Sequence, residues 1–169
     1  MTTMNGTLEH ESKGKRALIL IVCIAVPILL GFLSSALSGT MEALYDSLRL
    51  PPLSPPNQRF GIIWPIMYAL MGIAFYLVIR ENADARLKRT AVTFYIIQLV
   101  LNIFWSPVFF GGDAFIAASV IIIAMDILVA ITMRYFLAVR RAAGYLLIPY
   151  LIWLLFATYL SIGVAVLNP

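Results

Sequence analysis

Cysteine and histidine are almost missing from this 169-residue chain, with one of each, Cys23 and His10. A lone cysteine excludes an intrachain disulfide, and in the apolar run around it Cys23 reads as a small buried hydrophobe. Without a Cys/His cluster at ligand spacing there is no sequence basis for a zinc site or another metal enzyme, and no cofactor is expected. Charge is scarce as well. Only 12% of residues are Asp, Glu, Lys or Arg, against about 25% in soluble domains. What fills the gap is apolar: hydrophobic residues make up 62% of the chain, which places it among integral membrane proteins.

Charge-poor runs recur along the sequence and predict an all-α integral membrane protein, a bundle of five transmembrane helices with spans at about 17–40, 60–79, 90–110, 114–133 and 144–167. Each run approaches or exceeds the roughly 20 residues that a helix needs to cross hydrocarbon. A membrane-spanning β-barrel needs short segments of alternating polarity, whereas these runs are apolar on every side. Residues 1–16 read as a polar tail, 17–169 as one domain, and 41–59 as a first loop. Cleavage of the first span as a signal peptide is an alternative, since basic residues precede it and Ala36-Leu37-Ser38 loosely resembles a cleavage site. The length of its apolar stretch favours a retained span.

Basic residues orient the bundle, because cytoplasmic loops are enriched in Lys and Arg. Lys13, Lys15, Arg16, Arg80, Arg86, Lys88, Arg89, Arg134, Arg140 and Arg141 fall on one side of the predicted membrane, and only Arg49 and Arg59 on the other. The N-terminus is therefore expected in the cytoplasm, with the first loop and C-terminus opposite. The net charge of +4 follows from this asymmetry and is no sign of a nucleic-acid partner.

The first loop ends in Leu50-Pro51-Pro52-Leu53-Ser54-Pro55-Pro56. Four prolines in seven positions exclude a helix and stiffen the backbone, so the segment is expected to lie as a lid over the aromatic start of the second span. Pro27, Pro65, Pro107 and Pro149 place a kink or a helix end in four of the five spans, which leaves room between helices. Gly31, Ser35 and Gly39 form a small-residue stripe on the first span, read as helix packing or as a wall thinned for a ligand. Polar groups at membrane depth need partners. Asp126 lies about 18 Å along its helix from Ala114; an interhelical hydrogen bond is its structural reading, a substrate contact or proton relay the functional one. Gln98 and Asn102 share a helix face with Trp105 and Ser106 just beyond, and their amides need partners, one of which the polar edge of a ligand would supply.

Together these residues resemble the translocator protein family, also called tryptophan-rich sensory proteins. Pro51, Pro55-Pro56, Phe60, Trp64, Tyr68 and Met71-Gly72 resemble its first loop and second helix. Gln98-Leu99, Leu101-Asn102, Trp105, Pro107 and Phe109-Phe110 resemble its third, and Pro149-Tyr150-Leu151, Trp153, Phe156-Ala157-Thr158 and Leu160 its fifth. Asp126 falls where the family carries an intramembrane aspartate. The resemblance implies a homodimer of five-helix bundles in membrane lipid, each with a pocket for porphyrins and other tetrapyrroles, for sterols in some members, and for synthetic isoquinoline and benzodiazepine ligands. Candidate pocket residues are Ser35, Tyr45, Leu50, Leu53, Phe60, Trp64, Tyr68, Gln98, Asn102, Trp105, Asp126, Trp153, Ala157 and Leu160.

The chain departs from the family pattern in the first loop, where leucines at 44, 50 and 53 stand in place of two tryptophans and a lysine. The tryptophan replaced by Leu53 is implicated in light-dependent porphyrin breakdown by some members. Its loss favours a binder, acting as carrier, sensor or stress regulator, over a photochemical enzyme, and it leaves Arg49 and Arg59 as the cations available to a porphyrin carboxylate. The sterol motif is incomplete, since no base follows Tyr159. A secondary transporter is less favoured, because no inverted repeat is visible. A C-terminal reporter domain is expected on the non-cytoplasmic side; activity of a cytoplasm-dependent reporter fused there would overturn the orientation.

Overall fold

The computed structural model describes residues 13–39 and 41–169. Most of the tail expected over 1–16, including His10, lies outside the described residues, as does Thr40 at the end of the first expected span. The fold is all-α. Its helices are α1 (Lys13–Leu37), α2 (Met41–Ser47), α3 (Phe60–Arg80), α4 (Ala85–Ser106), α5 (Phe115–Val139), α6 (Arg141–Leu146) and α7 (Ile148–Leu167), with a 3₁₀ turn at Asn57–Arg59 and a π-helical turn at Pro107–Gly111. Five helical stretches, one led by the 3₁₀ turn, one continued by the π turn and one built from α6 and α7, are long and apolar enough to span a membrane. No β-strand occurs among the described residues.

The helices run past the ends of the apolar runs, because charged residues at an interface continue a helix instead of ending it. At the start of α4 the Asp84 carboxylate caps the helix, accepting from the Leu87 N–H at 2.9 Å. Lys88, one turn in, donates its Nζ to the Ile79 and Glu81 carbonyls, both at 2.9 Å. A single lysine thus satisfies carbonyls left open at the C-terminus of α3. At the other end of α5 the extended backbone of Arg140 (φ −153°) separates α5 from α6.

The prolines act differently according to position. Pro149 sits in the first turn of α7, where a missing N–H is harmless. Pro107 opens the π turn after α4. Pro27 and Pro65 lie inside α1 and α3, and Pro65 has no N–H to give the carbonyl of Gly61 four residues earlier.

The core is formed by α3, α4, α5 and α7, from Met71, Ala74 and Val78, Tyr95, Ile122, Met125, Val129 and Phe136, with Tyr150 and Leu154. α1 packs against α3 and α4 while leaving Leu29, Phe32, Leu33 and Leu37 exposed. Such a face would be costly in water but is neutral in lipid.

The small-residue stripe of α1 divides into three roles. Gly31 receives the ring of Tyr68, Ser35 lines a cavity, and Gly39, at φ 71°, ends the helix in the left-handed conformation open to glycine. The close backbone contact between helices comes from Gly72 of α3, which lies on the Cys23 carbonyl and on Ile24 Cα, 2.6 Å from where a Cβ would stand. Substituting Gly72→Val is expected to push α1 from α3 at a cost of about 1–3 kcal/mol. The check is thermal unfolding in detergent, where the midpoint should fall by several degrees while Gly61→Ala, in open space, should not lower it comparably.

Candidate functional site

A cavity of about 430 Å³ lies between α1, α3, α4 and α7 beneath the first loop, within the roughly 300–1,000 Å³ usual for small-molecule sites. Its floor is a chain of hydrogen bonds across three helices. The Tyr68 hydroxyl donates to Asn102 Oδ1 at 2.6 Å, Asn102 Nδ2 donates to the Tyr150 hydroxyl at 3.0 Å, and that hydroxyl donates to Gln98 Oε1 at 3.0 Å. All four side chains are buried. The Asn102 amide, expected to meet a ligand, is thus already engaged on both sides by tyrosines, and Gln98 forms the far end of the same chain.

Hydroxyls on the α1–α4 wall are also satisfied within the protein. Ser34 Oγ donates to the Ile103 carbonyl at 2.6 Å, Ser38 Oγ to the Ser34 carbonyl at 2.7 Å, and the Ser38 and Ser106 hydroxyls lie 2.8 Å apart. The cavity wall therefore presents chiefly apolar surface.

Aromatic rings supply most of that surface. Trp64 is their centre, with ring centroids 6.3 Å from Trp105, 6.4 Å from Trp153 and 5.7 Å from Tyr68. These are separations at which offset and edge contacts are favourable. The π turn brings both Phe109 and Phe110 against Trp105, at 5.3 and 6.1 Å. Gly61 and Pro65, the pair with the missing helical bond, line the same space.

The roof is the proline segment, and side chains hold its backbone where no secondary structure can. Asn168 at the end of α7 accepts from the Arg49 N–H at 2.9 Å and donates to the Arg49 carbonyl at 3.0 Å. The Tyr159 hydroxyl donates to the Pro52 carbonyl and that of Tyr45 to the Pro55 carbonyl, each at 2.8 Å. Burial pushes the Tyr45 phenol up, so it stays a donor. Pro51 fills a notch at Gly163, where a Cβ would stand 2.6 Å from its ring.

Ten of the fourteen candidates from the sequence line the cavity: Ser35, Tyr45, Leu50, Phe60, Trp64, Tyr68, Asn102, Trp105, Ala157 and Leu160. Four do not. Leu53 takes a left-handed backbone (φ 66°) and is 85% exposed, so it turns away from the cavity and forms no part of its lining. Gln98 lies beneath Tyr150, and Trp153 stands behind Trp64 and Phe60. Asp126 accepts from the Thr158 hydroxyl at 2.8 Å between α5 and α7. Its other oxygen, Oδ1, is buried without a partner among the described residues.

Other lining residues went unassigned in the sequence, among them Ile28, Phe32, Glu42 and Phe109. The helical spacing of Ile28, Gly31, Phe32 and Ser35 was a signal for the α1 wall. Nothing local marks Glu42.

Neither Arg49 nor Arg59 lines the cavity, and among the described residues Glu42 is the one Asp, Glu, Lys or Arg that does.

Comparison with known proteins places this geometry. The profile described as TspO/MBR family matches residues 23–167. The chain is 34% identical over 156 residues to Tryptophan-rich protein TspO of Chlorobaculum tepidum, covering 92% of this chain and 99% of that one. It is 36% identical over 124 residues to the Tryptophan-rich sensory protein of Cereibacter sphaeroides, covering 73% and 76%. With the Translocator protein of Homo sapiens the identity is 35% over 118 residues, covering 69% and 70%.

The floor gives a direct test. Tyr150→Phe strands the Asn102 amide and the Gln98 carbonyl in the core, and is expected to cost about 1–3 kcal/mol. Adding Gln98→Leu removes one stranded group and should restore part of the loss in thermal unfolding. Additive losses in the double variant would overturn the hydrogen-bond chain.

Proposed function

The chain belongs to the TspO/MBR family, and on that premise we propose that it is a membrane binding protein for porphyrins and similar flat hydrophobic ligands, acting as carrier, sensor or stress regulator. The supporting observation is the aromatic cavity around Trp64 and Trp105, closed above by the proline loop and below by a saturated hydrogen-bond chain. A flat ligand gains there from stacking and from burial at about 25 cal/mol per Å². The floor and wall hydroxyls are already paired, which leaves the buried indole N–H of Trp105, without a partner among the described residues, as a donor for a ligand.

A binder is favoured over a photochemical catalyst by Leu53. The family position tied to porphyrin breakdown is here an aliphatic side chain turned to the outside. Orientation follows the basic residues: in this reading the cavity lies at the end of the bundle away from the cytoplasm. Pairing of two bundles in the membrane belongs to the same reading, as does occupation by sterols or by isoquinoline and benzodiazepine compounds.

Titrating the purified protein with protoporphyrin should quench tryptophan fluorescence saturably. Trp64→Leu should weaken binding about tenfold, equivalent to about 1.4 kcal/mol of lost stacking, whereas Leu53→Ala should stay within about twofold of the parent. Equal affinity in the Trp64 variant would remove the proposed site. A strong loss at Leu53 would mean that the loop folds over the ligand.

A further inference from the structure

Charge at the cavity has the sign opposite to the one a ligand carboxylate would need. Arg49 is tied through its backbone to Asn168, Arg59 ends the 3₁₀ turn, and neither borders the space. Glu42, on the exposed face of α2, does border it, together with the neutral polar groups of Ser35, Asn57 and Gln58. No ion pair of Glu42 is formed among the described residues. Deeper in, Tyr68, Asn102, Ser34 and Ser106 spend their hydrogen-bonding capacity on one another, on neighbouring side chains and on the backbone, and the buried indole N–H of Trp105 is the neutral donor left without a partner there among the described residues.

A carboxylate carried into this space would lose water, find no cation among the described lining residues and only a neutral indole N–H in exchange, and meet a like charge at the entrance. Each of these effects opposes binding. A neutral ligand incurs none of them, and a ligand bearing an N–H, O–H or ammonium group at its outer edge would find an acceptor in Glu42.

The geometry points to Glu42 as a charge filter: the cavity selects uncharged flat ligands, such as esterified tetrapyrroles, or ligands with a donor or cationic edge, over free carboxylic acids. This rests on the binding role given to the cavity above, and names the class of ligand that the same site takes. The filter acts through one partly solvated charge, so its effect is modest and sensitive to salt.

Protoporphyrin and its dimethyl ester share one ring system and differ in two charges. Their affinities are to be measured on the intact protein in nanodiscs of neutral lipid, for the parent, Glu42→Gln and Glu42→Lys. The ester is expected to bind the parent about tenfold or more tightly than the diacid. That preference should shrink about threefold to tenfold in Glu42→Gln, shrink further in Glu42→Lys, and narrow in the parent as salt is raised.

Because the ester is also more hydrophobic, the change in ratio between variants is the deciding readout. An ester-to-acid ratio unchanged across all three proteins overturns the filter while leaving the cavity as a binding site. Saturable binding of neither compound overturns both.

Discussion

Hydrocarbon offers no hydrogen bonds, so every backbone N–H and C=O at membrane depth must be satisfied inside the chain. That constraint organises the molecule. It makes long helices the default and confines their irregularities to places with another source of partners. α3 ends on carbonyls bonded by Lys88, and α1 ends at Gly39. The segment between α2 and the 3₁₀ turn has no regular structure, and it borrows donors and acceptors from Asn168, Tyr159 and Tyr45. The lid is therefore held by the end of α7 as much as by its own prolines.

The cavity follows from the same requirement applied to side chains. An amide or phenol left alone in the core would cost about 1–3 kcal/mol, and Tyr68, Asn102, Tyr150 and Gln98 avoid this by bonding in series. With those groups absorbed, the space above is bounded by rings that cannot close-pack around Trp64. Gly31 admits the Tyr68 ring to the α1 wall, and the π turn at Pro107 brings two phenylalanines onto Trp105. What the described walls present is shape, aromatic surface, the open indole N–H of Trp105 and the Glu42 carboxyl at the rim.

Much of this was legible in the sequence. Runs of apolar residues gave the number of spans, because the length of a span is set by bilayer thickness. Trp64, Tyr68, Asn102 and Trp105 could be named as a group because their aromatic and amide side chains stand at helical spacing on adjacent spans. Helix ends were less legible. Arg86, Lys88 and Arg89 interrupt the apolar run but extend α4, since long basic side chains reach the interface from inside a helix. Leu53, placed in the roof by its neighbours, turns outward because of a left-handed backbone that no composition rule foretells.

The sequence by itself determined that this chain is a five-span helical membrane protein with an aromatic, proline-roofed end, because hydrophobic length, proline chemistry and basic residues act locally and add up along the chain. Only the tertiary structure decided which polar groups face one another. Asn102 and Tyr150 are 48 positions apart and Arg49 and Asn168 are 119 apart, and whether an amide meets a tyrosine or a ligand depends on how distant helices are set together. The same holds for charge: the first loop carries both acids and bases, and it is the path of the backbone that puts Glu42 at the cavity rim and leaves Arg49 and Arg59 outside it.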